Sequence, residues 1–203
     1  MLHFKQIIFK GVGLIIAGML LFGCARQSQK KPAEKKDKEP QVTEAIATIH
    51  PAEGEEMTGT VTFTKTENGT KVEANLNNLS QGKHGFHIHE YGNCSDRESL
   101  ASAGGHYNPA NQPHASPTSD QRHVGDMGNI PAGPEGNGEL TYTDPIIQLN
   151  GKHSVVGRAV VIHSGEDDLE SQPSGAAGSR IGCGVIGITS MEMEADTGSG
   201  NNM

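Results

Sequence analysis

His84-Gly85-Phe86-His87-Ile88-His89-Glu90 is the stretch from which the rest of the chain can be read. In an extended strand, side chains at i and i+2 point to one face. His87 and His89 therefore project together, about 7 Å apart along the strand. Phe86 and Ile88 point the other way, into an apolar core. Two imidazoles on one face can share a metal ion. Taken alone, the same pattern also describes two half-exposed histidines on a polar face.

Working outward, segments 43–50, 58–65 and 70–77 alternate apolar and polar residues, as in Thr60-Val61-Thr62-Phe63-Thr64. Turn residues such as Glu67-Asn68-Gly69 separate them, and they read as antiparallel strands in hairpins. The histidine strand comes fourth, at 83–91. Residues 92–138 are rich in Gly, Pro, Asn, Ser and His and lack periodicity. An irregular segment of this length is uncommon in a compact domain and is usually functional. Strands resume at 139–149 and 154–163, a second loop covers 164–180, and 183–189 is the last strand. Many short strands without an amphipathic helix pattern predict an all-β fold, a β-sandwich or barrel of about eight antiparallel strands with two long functional loops.

Both ends differ in composition from this domain, taken as 42–189. Lys5 and Lys10 precede the apolar run 11–22, which ends in Gly23-Cys24. A dozen apolar residues are short for a membrane span and suit the core of a signal peptide. Gly-Cys at its end resembles a bacterial lipoprotein signal over 1–23, with Cys24 lipidated, for instance by palmitate. The alternative is an uncleaved anchor, and either reading tethers the domain to a membrane outside the cytoplasm. Residues 24–41 form a charged linker, with six Lys or Arg against three acids over 25–41 and no apolar content to build a core. Residues 190–203 read as a disordered polar tail. From residue 41 onward 8 Lys or Arg face 21 Asp or Glu, a balance of −13 that opposes nucleic-acid binding.

Histidine provides the chemistry. His106 lies in Gly104-Gly105-His106-Tyr107-Asn108-Pro109, His114 follows, His123 and Asp126 share Arg122-His123-Val124-Gly125-Asp126, and His163 ends the apolar strand Val160-Val161-Ile162. Three imidazoles and a carboxylate suit a closed tetrahedral zinc site. Three or four imidazoles in a flatter arrangement suit copper.

Taken together, 84–92, 105–109, 123–128, His163 with Asp167-Asp168-Leu169, and Ala177-Gly178-Ser179-Arg180 with Cys183-Gly184-Val185-Ile186-Gly187 resemble the copper/zinc superoxide dismutase family over residues 43–189. The resemblance implies a Greek-key arrangement of the strands. It implies copper on His87, His89, His106 and His163, and zinc on His106, His114, His123 and Asp126, with His106 bridging. It implies that Asp167 links His87 to His114, that Arg180 guides superoxide, that His84 is structural, and that Cys94 and Cys183 form a disulfide. The implied activity is dismutation of superoxide to oxygen and hydrogen peroxide by copper cycling, with His106 acting as ligand and then as acid. A non-catalytic copper and zinc buffer on the same ligands is the alternative. Loop 164–180 is shorter than in the common eukaryotic enzymes and contains no lysine, and Ser174 stands where the family usually has threonine. A homodimer is compatible with the sequence.

Overall fold

The alternation over residues 43–77 is that of strands with one face buried. In the computed structural model, which describes residues 39–193, β1 (Gln41–Pro51), β2 (Thr58–Thr66) and β3 (Gly69–Asn77) form an antiparallel meander. The register sets Ala47 opposite Val61 and Phe63 opposite Val72. Ala45, Ala47, Ile49, Val61, Phe63, Val72 and Leu76 thereby share one buried face. Five further strands follow: β4 (Gly82–His89), β5 (Asp126–Ala132), β6 (Gly138–Asp144), β7 (Ala159–His163) and β8 (Arg180–Glu192). All pairings are antiparallel, and the order β1-β2-β3-β6-β5-β4-β7-β8 closes into a barrel. Closure removes free sheet edges. The weakest seam lies between β5 and β6, which pair only at Ala132–Gly138. Phe63 and Phe86 are fully buried in the interior, and truncating either to alanine is expected to cost about 3–5 kcal/mol. The expected all-β barrel of eight antiparallel strands is the observed fold.

Several boundaries differ from those read in the sequence. The stretch 92–138 contains β5, whose Gly128 and Pro131 hide its strand character. β6 stops at Asp144 rather than 149, because Pro145 offers no N–H and the Asp144 carboxylate accepts from the backbone N–H groups of Ile146 and Ile147 at 2.9 and 3.0 Å. β7 starts at 159 rather than 154. Residues 154–158 form a turn whose Arg158 guanidinium stacks 3.4 Å from the centre of the Tyr107 ring. β8 runs from 180 to 192, well beyond 183–189, because it pairs with β7 and along β1 as far as Gln41–Glu192. Ser190, Met191 and Glu192, expected in a disordered tail, therefore lie in a strand. The start of β1 is fastened by Asn150, whose side-chain amide accepts from Val42 N–H and donates to Val42 C=O, both at 2.8 Å. Residues 1–23, Cys24, most of the linker and residues 194–203 lie outside the described residues. Among the described residues no helix is long and apolar enough to cross a membrane.

Candidate metal centre

β4 presents its two faces as the sequence predicts. Phe86 and Ile88 enter the barrel, and His87 and His89 point outward. Yet His87 and His89 are as buried as the core residues, at 0% and 1% exposure. The reason is loop 92–125, which folds over the outer face of β4. A backbone bridge joins His106 to His89, and Tyr107 exchanges backbone hydrogen bonds with Ile88 and Gly125. Cys94 and Cys183 form a disulfide, S–S 2.01 Å, that pins this loop to β8. The guanidinium of Arg122 donates to the carbonyls of His123, Val124 and Asp126 and pairs with buried Asp144 at 2.6 Å. That web fixes the turn carrying His123 and Asp126.

The seven ligand candidates fall into two groups. His87, His89, His106 and His163 bring ligand atoms within 4.8 Å of one another, as do His106, His114, His123 and Asp126. His106 belongs to both. Its Nδ1 lies 2.8 Å from Asp126 Oδ1, while its Nε2 is buried with no hydrogen-bond partner. Nδ1 of His114 at 2.9 Å and Nδ1 of His123 at 3.1 Å converge on the same Asp126 oxygen. Nδ1 of His114 makes no hydrogen bond there, and Nδ1 of His87 also lacks a partner. Nε2 of His89 and Nε2 of His163 stand 3.4 Å apart. Nitrogens gathered around one carboxylate oxygen, with buried lone pairs left unmatched, are what a cation would satisfy. The donor set thus fits metal.

The opposite ring nitrogens of His87, His89, His114 and His163 are occupied. Nε2–H of His87 donates to Asp167 Oδ2 at 2.7 Å, and Nε2–H of His114 donates to Asp167 Oδ1 at 2.9 Å. Asp167 is buried and joins the two groups, and it is held in turn by Asn129. The Asn129 amide accepts from Asp167 N–H and donates to Asp167 C=O, both at 2.8 Å. Gly175, at φ 68°, allows this approach, since a Cβ there would run into Asp167 and His114. Nδ1–H of His89 donates to the Gly104 carbonyl at 2.9 Å. Such contacts set which nitrogen faces the metal.

Electrostatics reinforce the design. Burial, opposed by the Asp167 hydrogen bond, lowers His87 to about 4, and burial with the nearby His87 lowers His163 to about 3. Burial also lowers His89 and His106. These four imidazoles are neutral at neutral pH, the form that ligates metal. Burial would lower His114 as well, but Asp126 and Asp167 raise it to about 9. Burial would raise Asp126, yet the three imidazoles of His106, His114 and His123 gathered on its carboxylate hold it far below the carboxylate range.

Beside His89, His106 and His163 opens a cleft of about 390 Å³, also lined by Asn108, Ser174 and Arg180. Arg180 is half-buried and anchored. It donates to the carbonyls of Leu100 at 2.7 Å and Gly104 at 2.6 Å, sharing Gly104 with His89. Lys83, next to loop 164–180, is paired with Glu166 at 2.6 Å. His84 is buried, and its Nδ1–H donates to the His163 carbonyl at 2.8 Å. Arg122, Asn129 and Gly175 belong to the site through the fold alone. Their roles depend on partners 22, 38 and 8 residues away and have no local signature.

A closed antiparallel barrel carrying two groups of candidate ligands that share one imidazole has the layout of a dinuclear metal centre. Comparison gives the family. The family model for copper/zinc superoxide dismutase matches residues 57–186. Extracellular superoxide dismutase [Cu-Zn] of Brugia pahangi is 40% identical over 154 residues, which are 71% of this chain and 76% of the relative. The protein of the same name from Drosophila melanogaster is 46% identical over 141 residues, 66% of this chain and 77% of the relative. The crystal structure of the clock protein EA4 superposes with a TM-score of 0.68 at 36% identity, covering 73% of this chain and 96% of that one. The chain belongs to the copper/zinc superoxide dismutase family, enzymes whose cofactors are copper and zinc.

Proposed function

We propose that this chain is a superoxide dismutase holding copper on His87, His89, His106 and His163, and zinc on His106, His114, His123 and Asp126. The all-imidazole group has copper chemistry. The group containing a carboxylate has the composition of a closed zinc site. The observation that carries the reading is the double membership of His106, with one nitrogen toward each group, beside a cleft that contains Arg180.

When bound, copper supplies one-electron oxidation and reduction. The chain's own residues do the rest. Arg180 presents a permanent positive charge to a small anion in the cleft, and its two carbonyl anchors keep it in place. Nε2 of His106 is the atom that takes up a proton and passes it to the product, while Nδ1 stays toward Asp126. Asp167 holds His87 and His114 with their other nitrogens inward. Loop 92–125 keeps water from the buried ring faces.

The reading extends to location. Residues 1–23 are a lipoprotein signal and Cys24 is the lipidated residue, so the domain sits outside the cytoplasm of a bacterium on linker 24–41. Support comes from the apolar run ending in Gly23-Cys24 and from the disulfide, which persists in oxidising compartments. A homodimer would cover Val185 and Ile188, which are exposed on β8. The decisive test is metal content and superoxide turnover measured on one copper- and zinc-loaded sample. Metals bound without turnover would favour the buffer reading, and a Cys24→Ser chain that still carries lipid would end the lipoprotein reading.

A further inference from the structure

We infer that Gln172 is a positioning residue for His114, gripping its main chain while Asp167 grips its ring. The inference rests on the zinc assignment proposed above and adds a residue that touches neither metal nor substrate. Oε1 of Gln172 accepts the His114 N–H at 2.8 Å, and Nε2 donates to the His114 carbonyl at 2.8 Å. The second Nε2 hydrogen goes to the Glu170 carbonyl at 3.0 Å. This arrangement has one orientation only. A turned-over amide would set oxygen against oxygen and N–H against N–H.

His114 needs this support more than the other imidazoles of its group. His106 is bridged to β4 through His89. The His123 N–H bonds to Asp126 Oδ2 at 3.0 Å, at the start of β5. His114 sits in the irregular segment between the 3₁₀ turn Ala101–Ala103 and β5, and among the described residues no strand pairs with it. Its backbone donor and acceptor are both taken by Gln172. Functional constellations tolerate displacements of about 0.5 Å, and an imidazole held only at its far nitrogen still swings if its Cα is free. Loop 164–180 therefore fixes His114 at both ends, with Asp167 on Nε2 and Gln172 on the main chain, so that Nδ1 faces Asp126.

The test uses the full chain, stripped of metal and titrated with zinc against a chelating dye, then loaded with cobalt(II) in place of zinc. Gln172→Met preserves length and removes both bonds, and Gln172→Glu sets a carboxylate against two carbonyls. Both should lower zinc affinity about tenfold and shift the visible bands of cobalt, with copper(II) affinity and its paramagnetic resonance spectrum unchanged. Glu170→Gln, one loop residue whose side chain is outside the contact, should behave as wild type. Gln172 is exposed, so the barrel should fold in every variant, as circular dichroism of the metal-free proteins will show. A wild-type zinc affinity and cobalt spectrum in Gln172→Met would overturn the inference. So would an equal loss of both metals accompanied by a lower unfolding midpoint, the mark of a merely structural contact. Wild type that takes up no zinc would overturn the ligand assignment and this inference together.

Discussion

Replacing Asp167 by asparagine should weaken copper and spare zinc. The two carboxylate oxygens have unequal duties. Oδ1 accepts from His114 Nε2–H at 2.9 Å and from the Leu169 backbone N–H at 2.7 Å, whereas Oδ2 accepts only from His87 Nε2–H at 2.7 Å. An asparagine keeps its oxygen where two donors point and turns its NH2 toward His87. His87 must then accept at Nε2, which places its proton on Nδ1, the nitrogen turned toward His89, His106 and His163. A protonated nitrogen cannot ligate. A hydrogen bond to a charged group contributes about 1.5–3 kcal/mol, and losing a ligand's orienting partner costs about 10–100-fold in metal affinity, equivalent to about 1.4–2.7 kcal/mol. The two scales agree. Copper(II) and zinc affinities of Asp167→Asn, each measured by chelator competition, should therefore diverge, with copper down at least about tenfold. Asp167→Ala, which removes both acceptors, should lower both. Parallel losses in Asp167→Asn, or an unchanged copper affinity, would refute this account of Asp167.

Arg180→Ala should leave metal content nearly unchanged and slow the reaction with superoxide at least about tenfold by pulse radiolysis, about 1.4 kcal/mol of transition-state stabilisation. The loop carries no lysine and Lys83 is paired, so little else offsets an acidic domain; a wild-type rate would remove the role. Removing the disulfide with Cys94→Ala and Cys183→Ala, 89 residues apart, should cost about 4.6 kcal/mol by chain entropy in denaturant unfolding. It should also slow turnover, because the freed loop carries both carbonyl anchors of Arg180. Gly175→Ala should impair both metals, since its methyl group displaces Asp167 and His114 together; normal loading of either metal would contradict that. Metal-free protein should be most stable near pH 6.5. As pH falls from there toward about 4, unfolded His87 and His163 take up protons that the folded rings, lowered to about 4 and about 3, refuse. As it rises toward about 9, the stabilisation from protonated His114, whose folded pKa is raised to about 9, fades. Urea midpoints that stay flat across this range would count against it.

The strands carrying alternation, β1 to β4, were legible because one face of each is apolar and the period of two survives in the residue order. β5 was not, since Gly128 and Pro131 interrupt the pattern and its first residue, Asp126, turns its side chain to a candidate ligand group. The gathering of the candidate ligands was legible in part because the spacing His87-x-His89 is local. Their burial was not, because the cover over β4 comes from a loop whose placement depends on the Cys94–Cys183 bond and on Arg122, both long-range. Gln172 and Asn129 look like ordinary loop polar residues. Only the fold brings each amide against a backbone 58 or 38 residues away.

Four side-chain amides complete these loops, each offering an oxygen and an NH2 at once: Asn108 to Gln112, Asn129 to Asp167, Asn150 to Val42 and Gln172 to His114. Such joints are indifferent to pH but not to time, because hydrolysis of the amide turns the donor into a carboxylate oxygen facing a carbonyl. The reaction starts when the next residue's backbone nitrogen attacks the side-chain carbonyl. Asn108 and Gln172 precede prolines, whose nitrogen bears no hydrogen, and Asn129 precedes the branched Ile130. Asn150 alone precedes a glycine, where nothing hinders attack. Of the four joints, the one at the start of β1 is thereby the first to age, and those around the candidate metal centre are the slowest to wear.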